Sequence, residues 1–314
     1  MTRRCLTAAA AAVVLLLTAL PGIALADDDV AEMLEEASRA EFHGSGVMMC
    51  NWGTDSAATT YEVTRSDGMS MIGGPGGDLM AHDGISAVRS GSEWYGTEVE
   101  EWAAWTVSDR YSLGESTPTT RLARSATIVT VLEDGMPRIR MIIDNESRVP
   151  LATEILDANG RVFRMAALVT FEPGTQDMPD DMPDMEVMAT IRPMGAATSL
   201  PQSLGGYLRA DVYDAGDGAV QVFYTDGVFS FSVFEAGRGA RPAAFAGATE
   251  FEAGGSKYLR IVTPTSTWVN WNAPDRSYVL MGDLPPDHLV EVLQLLPAPG
   301  ERGWFVRIWR RLFG

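Results

Sequence analysis

Six Asp-Gly or Asn-Gly pairs punctuate the chain, at Asp67-Gly68, Asp83-Gly84, Asp134-Gly135, Asn159-Gly160, Asp217-Gly218 and Asp226-Gly227. Such pairs tolerate the positive φ angles of the two-residue turns that join antiparallel strands. Between them the sequence alternates with period two. Ile139, Met141 and Ile143 share one face, with Arg138 and Arg140 on the other. Phe163, Met165, Ala167, Val169 and Phe171 repeat the pattern against Arg164 and Thr170. Strands near 126–132, 138–144, 149–156 and 162–171, joined by short turns, predict an antiparallel meander. One apolar face per strand needs a cover, so the sheet packs against helices or curls around that face.

Ahead of the strands, Asp27 to Asp29 suit a helix start, and Val30, Met33, Leu34 and Ala37 recur at helical spacing. After them, Gly174 to Met185 repeats Asp-Met-Pro; four aspartates and two prolines between Asp177 and Asp184 predict a solvated linker. A second domain follows from about Leu200. Tyr224-Thr225-Asp226-Gly227 turns into a strand with Phe229, Phe231 and Val233 on one face and Ser230 and Ser232 on the other. Ser277 to Met281 predicts another strand. Gly282-Asp283-Leu284-Pro285-Pro286 then opens a helix whose Leu289, Val292, Leu293 and Leu296 form one stripe, stopped by Pro297 and Pro299. In the tail, Trp304, Phe305, Ile308, Trp309 and Leu312 form an apolar helical face opposite Arg307, Arg310 and Arg311. That face suits an anionic membrane surface or the protein's own acidic exterior equally well.

The N-terminus reads as an export signal. Arg3 and Arg4 precede an apolar stretch from Leu6 to Leu20, Pro21-Gly22 breaks it, and Ala24-Leu25-Ala26 supplies small residues for cleavage. Losing those two arginines takes the net charge from −18 to −20. A chain this acidic is repelled by phosphate backbones, which excludes nucleic acid as the expected partner. Only Cys50 would survive cleavage, so no internal disulfide forms; its place after Val47-Met48-Met49 predicts a buried small hydrophobe.

Chemistry-bearing motifs are missing. His43, His82 and His288 have no metal spacing, no serine sits in G-x-S-x-G, and Gly73 to Gly77 has no following Lys or Ser to bind phosphate. Glu98, Glu100 and Glu101 beside Trp102 and Trp105 fit an acidic loop near core tryptophans better than a carboxylate pair. No catalytic residue, metal or cofactor is expected, and the chain is not read as an enzyme.

Two phrases of the second domain resemble the RseB/MucB family of extracytoplasmic sigma-factor regulators: Tyr224-Thr225-Asp226-Gly227-Val228-Phe229-Ser230-Phe231-Ser232-Val233, and Gly282-Asp283-Leu284-Pro285-Pro286. Phe42-His43-Gly44, the Asp67-Gly68 hairpin, and Pro150-Leu151 through Asp157-Ala158-Asn159-Gly160-Arg161 add to it, so the resemblance covers nearly all of 30–296. It implies an α+β, mainly antiparallel β protein: a half-open β-barrel of the LolA/LppX kind with covering helices, plus a smaller β-sheet domain with a C-terminal helix. The boundaries expected are a signal peptide over 1–26, the half-barrel over 27–173, the linker over 174–199, the second domain over 200–297 and the basic tail over 298–314. The implied partner is the extracytoplasmic domain of a membrane-spanning anti-sigma factor, shielded from proteolysis until a lipid signal releases it. The Asp-Met-Pro linker and the Trp/Arg tail depart from the family pattern. The linker and the second domain near Tyr224, Phe229 and Phe231 are expected to meet the partner. Val47, Met49, Met69, Met71 and Met80 are candidates to line a lipid cavity, although strand methionines ordinarily pack a core. A periplasmic lipid or lipoprotein carrier is the alternative; it would explain the first domain but not the second.

Overall fold

Val30, Leu34 and Ala37 recur at the spacing of one helical stripe, and they are the residues that α1 (Asp28–Arg39) buries. The computed structural model describes residues 28–74, 79–82, 85–90, 93–98, 109–174, 189–191, 198–216, 218–236 and 247–300. The expected signal peptide, Asp83-Gly84, the glycines after Gly74, the Glu100 to Trp105 stretch, most of the Asp-Met-Pro linker and the 304–313 tail lie outside the described residues.

The first sheet holds β1 (Phe42–Trp52), β2 (Asp55–Ser66), β3 (Met69–Gly73), β4 (Leu79–His82), β5 (Ile85–Ser90), β6 (Glu93–Glu98), β7 (Tyr111–Leu113), β8 (Thr117–Arg121), β9 (Arg124–Glu133), β10 (Met136–Asp144), β11 (Pro150–Leu156), β12 (Val162–Pro173) and β13 (Ala189–Ile191). Its order is β13-β6-β5-β4-β3-β2-β1-β12-β11-β10-β9-β7, with β8 also on β9. All pairs are antiparallel except β13 with β6, so three residues of the expected linker add a parallel strand to the sheet's edge. The second sheet holds β14 (Ser203–Leu204), β15 (Tyr207–Gly216), β16 (Ala219–Thr225), β17 (Ser230–Ala236), β18 (Thr249–Ala253), β19 (Ser256–Val262), β20 (Thr267–Asn272) and β21 (Ser277–Gly282), and is followed by α2 (Pro286–Leu295). The chain is thus mostly antiparallel β, with two helices among the described residues.

The four predicted meander strands are β9 to β12, paired in sequence order. Asp67-Gly68 and Asp134-Gly135 make their turns with both residues at positive φ. Leu122-Ala123 does the same between β8 and β9, at φ 51 and 59, without a glycine or asparagine to signal it.

Register settles which face is inside. Along β1 the residues Phe42, Gly44, Gly46, Met48 and Cys50 are buried, and α1 packs over this inner face. Tyr61, Val63 and Ile72 lie on the same face through the β1–β2 and β2–β3 ladders. On β12 the expected sides are reversed from Arg164 to Leu168, where Arg164, Ala166 and Leu168 look inward; Val169 is 53% exposed, and the bulge that follows brings Phe171 back opposite Gly44 on the inner side. Both sides of β12 carry apolar residues, so alternation alone left the choice open. Arg138, expected on a polar face, is buried as well.

The family-like phrases of the second domain meet in space. Phe231 pairs with Gly282 across β17 and β21, and a Cβ at 282 would stand 2.5 Å from Phe231 Cβ and 2.6 Å from the Ser230 carbonyl. Asp283 then accepts a hydrogen bond from the Ser230 amide at 3.1 Å. The apolar core runs without a break from Phe42 and Met141 to Phe231 and Leu289, so the two sheets share it. Gly282→Ala should lower stability by about 1–3 kcal/mol through overpacking, measured as a lower midpoint in urea with an unchanged slope; an unchanged midpoint would contradict the close approach.

Candidate functional site

Among the described residues, a dense group of charged side chains lies where the two sheets join. β9 ends at Glu133, the Asp134-Gly135 turn reverses the chain, and β10 brings back Arg138. Glu133 is buried, accepts hydrogen bonds from Arg138 Nε at 2.5 Å and His288 Nε2 at 3.0 Å, and forms an ion pair with Arg110, whose Nε lies 3.1 Å away. Arg138 also donates to the Leu156 carbonyl at 2.9 Å and, through both terminal nitrogens, to Asp287 at 3.2 and 2.8 Å. Arg110 reaches Asp226 at 2.7 Å, and the Tyr111 hydroxyl donates to the same carboxylate at 2.7 Å. His288 Nδ1 is 2.6 Å from the Tyr207 hydroxyl, and its ring meets Phe229 edge-on. The first sheet thus supplies Arg110, Tyr111, Glu133 and Arg138, and the second domain supplies Tyr207, Asp226, Asp287 and His288.

Each of the two phrases serves this seam. Asp226 caps its own turn, accepting the Val228 and Phe229 amides through Oδ1, and gives Oδ2 to Arg110 and Tyr111. Asp287 and His288 lie in the first turn of α2, directly after the double proline. Burial pushes the Glu133 carboxyl up, but the His288 hydrogen bond and the charges of His288, Arg138 and Arg110 hold it below its ordinary range. Asp287 is lowered in the same way, against burial, chiefly by its bond to Arg138. The arginines fill the acceptor positions of these carboxylates, so the group is an ion-pair seam and not a cation site.

A second contact closes the opposite end. Asp55 accepts Arg260 at 2.5 Å and the Thr249 hydroxyl at 2.8 Å. The Arg260 guanidinium lies 4.4 Å from the Trp52 ring centre and 5.1 Å from that of Phe251. Asp283, fully buried, is pushed up to about 6 by burial, with the Arg164 charge and the Ser230 amide opposing the rise.

The expected binding residues take other places. Tyr224, Phe229 and Phe231 are at most 1% exposed. Tyr224 stacks on Phe231 with ring centres 5.1 Å apart and donates to the Pro201 carbonyl. Their side chains offer a partner no surface, which corrects their reading as contact residues: a strand covered on both faces buries its aromatics whichever way they point. Val47, Met49, Met69 and Met71 do share one face, and the β3–β4 ladder sets Met80 opposite Met71. That face is the one opposite α1, and the described four are only half-buried there. Phe42, Met48, Cys50, Val63 and Ile72 lie on the other, buried face and share the apolar core with Val30, Leu34 and Ala37 of α1. Cys50 is buried and unpaired. The seam was not foreseen from sequence; its one visible trace is Asp226, in a phrase singled out for other reasons.

No protein-family model matches the chain. No curated protein sequence matches it either. Among solved structures, the crystal structure of MucB covers 88% of this chain and 100% of its own, at 17% identity and a TM-score of 0.51. The chain has the RseB/MucB fold. The complex of Pseudomonas aeruginosa MucA and MucB covers 88% of this chain and 99% of that one, at 16% identity and a TM-score of 0.49. A LolA superfamily protein from Nitrosomonas europaea covers 48% of this chain and 94% of its own, at 10% identity and a TM-score of 0.25. The likeness to MucB runs the length of that chain, so it spans both sheets.

Two outcomes follow. Glu133→Ala leaves two guanidiniums buried without their shared carboxylate and should cost about 3–5 kcal/mol of unfolding free energy. Glu154→Ala, which removes the more exposed 3.7 Å pair with Arg140, should cost less than about 1 kcal/mol; equal losses would deny the seam its weight. For Asp283 the folded state favours the neutral acid. Its contribution is complete below the ordinary carboxyl range and is lost as pH rises through about 6. Asp283→Asn should therefore gain on the wild type between pH 4 and 7, by up to about 3 kcal/mol, in urea titrations across that range; parallel pH profiles would refute the assignment.

Proposed function

We propose that this protein is an exported regulator that binds the extracytoplasmic domain of a membrane-spanning anti-sigma factor and shields it from proteolysis, with a lipid signal releasing it. The observation that carries the proposal is the two-sheet fold shared with MucB from end to end, with the family-like phrases paired as β17 and β21. MucB itself has been solved with MucA. The first sheet, with α1 over its inner face, is taken as the half-open barrel of the reading, and the signal-like residues 1–26 as its route out of the cytoplasm. A simple carrier would need only the first sheet. The ion-pair seam, built from both parts of the chain, instead favours a protein whose two domains present one composite surface.

The test is co-purification of the tagged full chain with a detergent extract of its source's membranes, followed by reconstitution with the purified extracytoplasmic domain of the protein recovered. A single-span anti-sigma protein, bound stoichiometrically, protected from added protease and displaced by lipid, is the expected result. Recovery of lipid or lipoprotein alone by folded protein would replace the regulator with a carrier.

A further inference from the structure

The shared apolar core accounts for only one face of the second sheet. On the inner side Val222, Val233, Leu280 and Val269 follow one another across the strands and lie in that core. On the outer side two neighbouring rows cross the same strands, with Phe223, Met281 and Trp268 on one and Tyr213, Phe234 and Val279 on the other. None of these six belongs to the core. An antiparallel sheet that faces water carries polar residues on its wet side, whereas six large apolar side chains mark a face that is covered. Tyr213, Phe223, Phe234 and Met281 are accordingly at most 5% exposed. The buried apolar residues of α1 and α2 all belong to the core, so neither helix provides the cover.

Three segments outside the described residues adjoin the second sheet: 192–197, 237–246 and 301–314. The first two bring one large apolar residue each, Met194 and Phe245. The third brings Trp304, Phe305, Ile308, Trp309 and Leu312 at the spacing of one helical face. Its starting point is fixed. After α2, Trp271 Nε1 donates to the Pro297 carbonyl at 2.7 Å, and the Gly300 amide donates to the Asn272 carbonyl at 2.9 Å, so the chain arrives at the end of β20. From β20 the strands β21, β17, β16 and β15 follow in order, a width of about 19 Å. The fourteen residues 301–314 span about 21 Å as a helix. Charge agrees with length. The tail holds four arginines and one glutamate in a chain of net charge −18. Asp211 ends one outer row, Glu250 ends the other, and Asp275 stands in the turn between β20 and β21. We propose that residues 301–314 fold back over the outer face of the second sheet, with their aromatic side on Phe223, Phe234 and Met281 and their arginines toward Asp211 and Asp275. The tail is then part of the packing of the second domain, and its apolar side chains meet the protein and not a membrane. This goes beyond the regulator reading and does not depend on it.

Hydrogen–deuterium exchange of the full chain, read by mass spectrometry, tests the proposal. Amides of 304–313 should exchange at least about tenfold more slowly than in the free 301–314 peptide. Trp304→Ser combined with Trp309→Ser should remove that protection and speed exchange in β16, β17 and β21, while β9 to β12 keep their wild-type rates. Should that double variant not fold, Arg310→Glu with Arg311→Glu places like charge near Asp211 and should speed exchange of the tail severalfold. Sedimentation with vesicles of anionic or zwitterionic phospholipid addresses the membrane alternative, and the full chain should stay in the supernatant with both. A tail that exchanges as fast as the free peptide overturns the proposal. So does a protected tail whose release leaves β16, β17 and β21 unchanged. Anionic vesicles that pellet the wild type but not the tryptophan variant would make the tail a membrane contact instead.

Discussion

One carboxylate holds the arrangement together. Glu133 is buried at the end of β9 and meets Arg138, Arg110 and His288. Without it, Arg138 and Arg110 would each lose one of two carboxylate partners in a largely buried seam, a cost of several kcal/mol that few surface pairs could offset. Each of its partners carries the contact onward: Arg138 to Asp287 at the start of α2, Arg110 to Asp226 in the turn before β17, and His288 to Tyr207 at the start of β15. Three separate parts of the second domain are thereby tied to one hairpin of the first. The Asp55–Arg260 contact pins the far end, so the sheets are held at two points across a continuous core.

This placement bears on the proposed partner binding, because a surface drawn from both domains exists only while their relative position is held. The seam is ionic where a purely apolar join would have sufficed for cohesion. Ion pairs demand one geometry, whereas apolar surfaces tolerate sliding. Arg164 stands where the inner face of the first sheet comes within electrostatic reach of Asp283, in the phrase that opens α2.

Much of the fold was legible from local patterns. The Asp-Gly pairs at 67 and 134 marked real turns, β9 to β12 followed the predicted meander, and both helices began where their aspartates or prolines placed them. The misreadings have a common cause. On β12, Arg164 was assigned outward because charge ordinarily faces water, yet it turns in. Arg138 was misread for the same reason: its counter-charges come from Glu133, five residues away, and from Asp287, 149 residues away. Leu122-Ala123 forms a turn that neither residue favours, held by the pairing of Arg121 with Arg124 and of β8 with β9.

Sequence by itself determined the period-two strands, the turn positions, the helix stripes and the two phrases that mark the RseB/MucB fold, because each depends on residues within a few positions of one another. Tertiary structure alone decided which face of the first sheet is the buried one, placing Met48 and Cys50 in the core and leaving Val47, Met49, Met69 and Met71 half-buried on the other side. It also decided that Tyr224, Phe229 and Phe231 belong to the core, and that eight polar residues from both domains converge on one seam. A shift of one residue in register exchanges the two faces of a strand, and a buried charge is tolerable only beside a partner from elsewhere in the chain. Both conditions are set by contacts between distant segments, which local spacing does not encode.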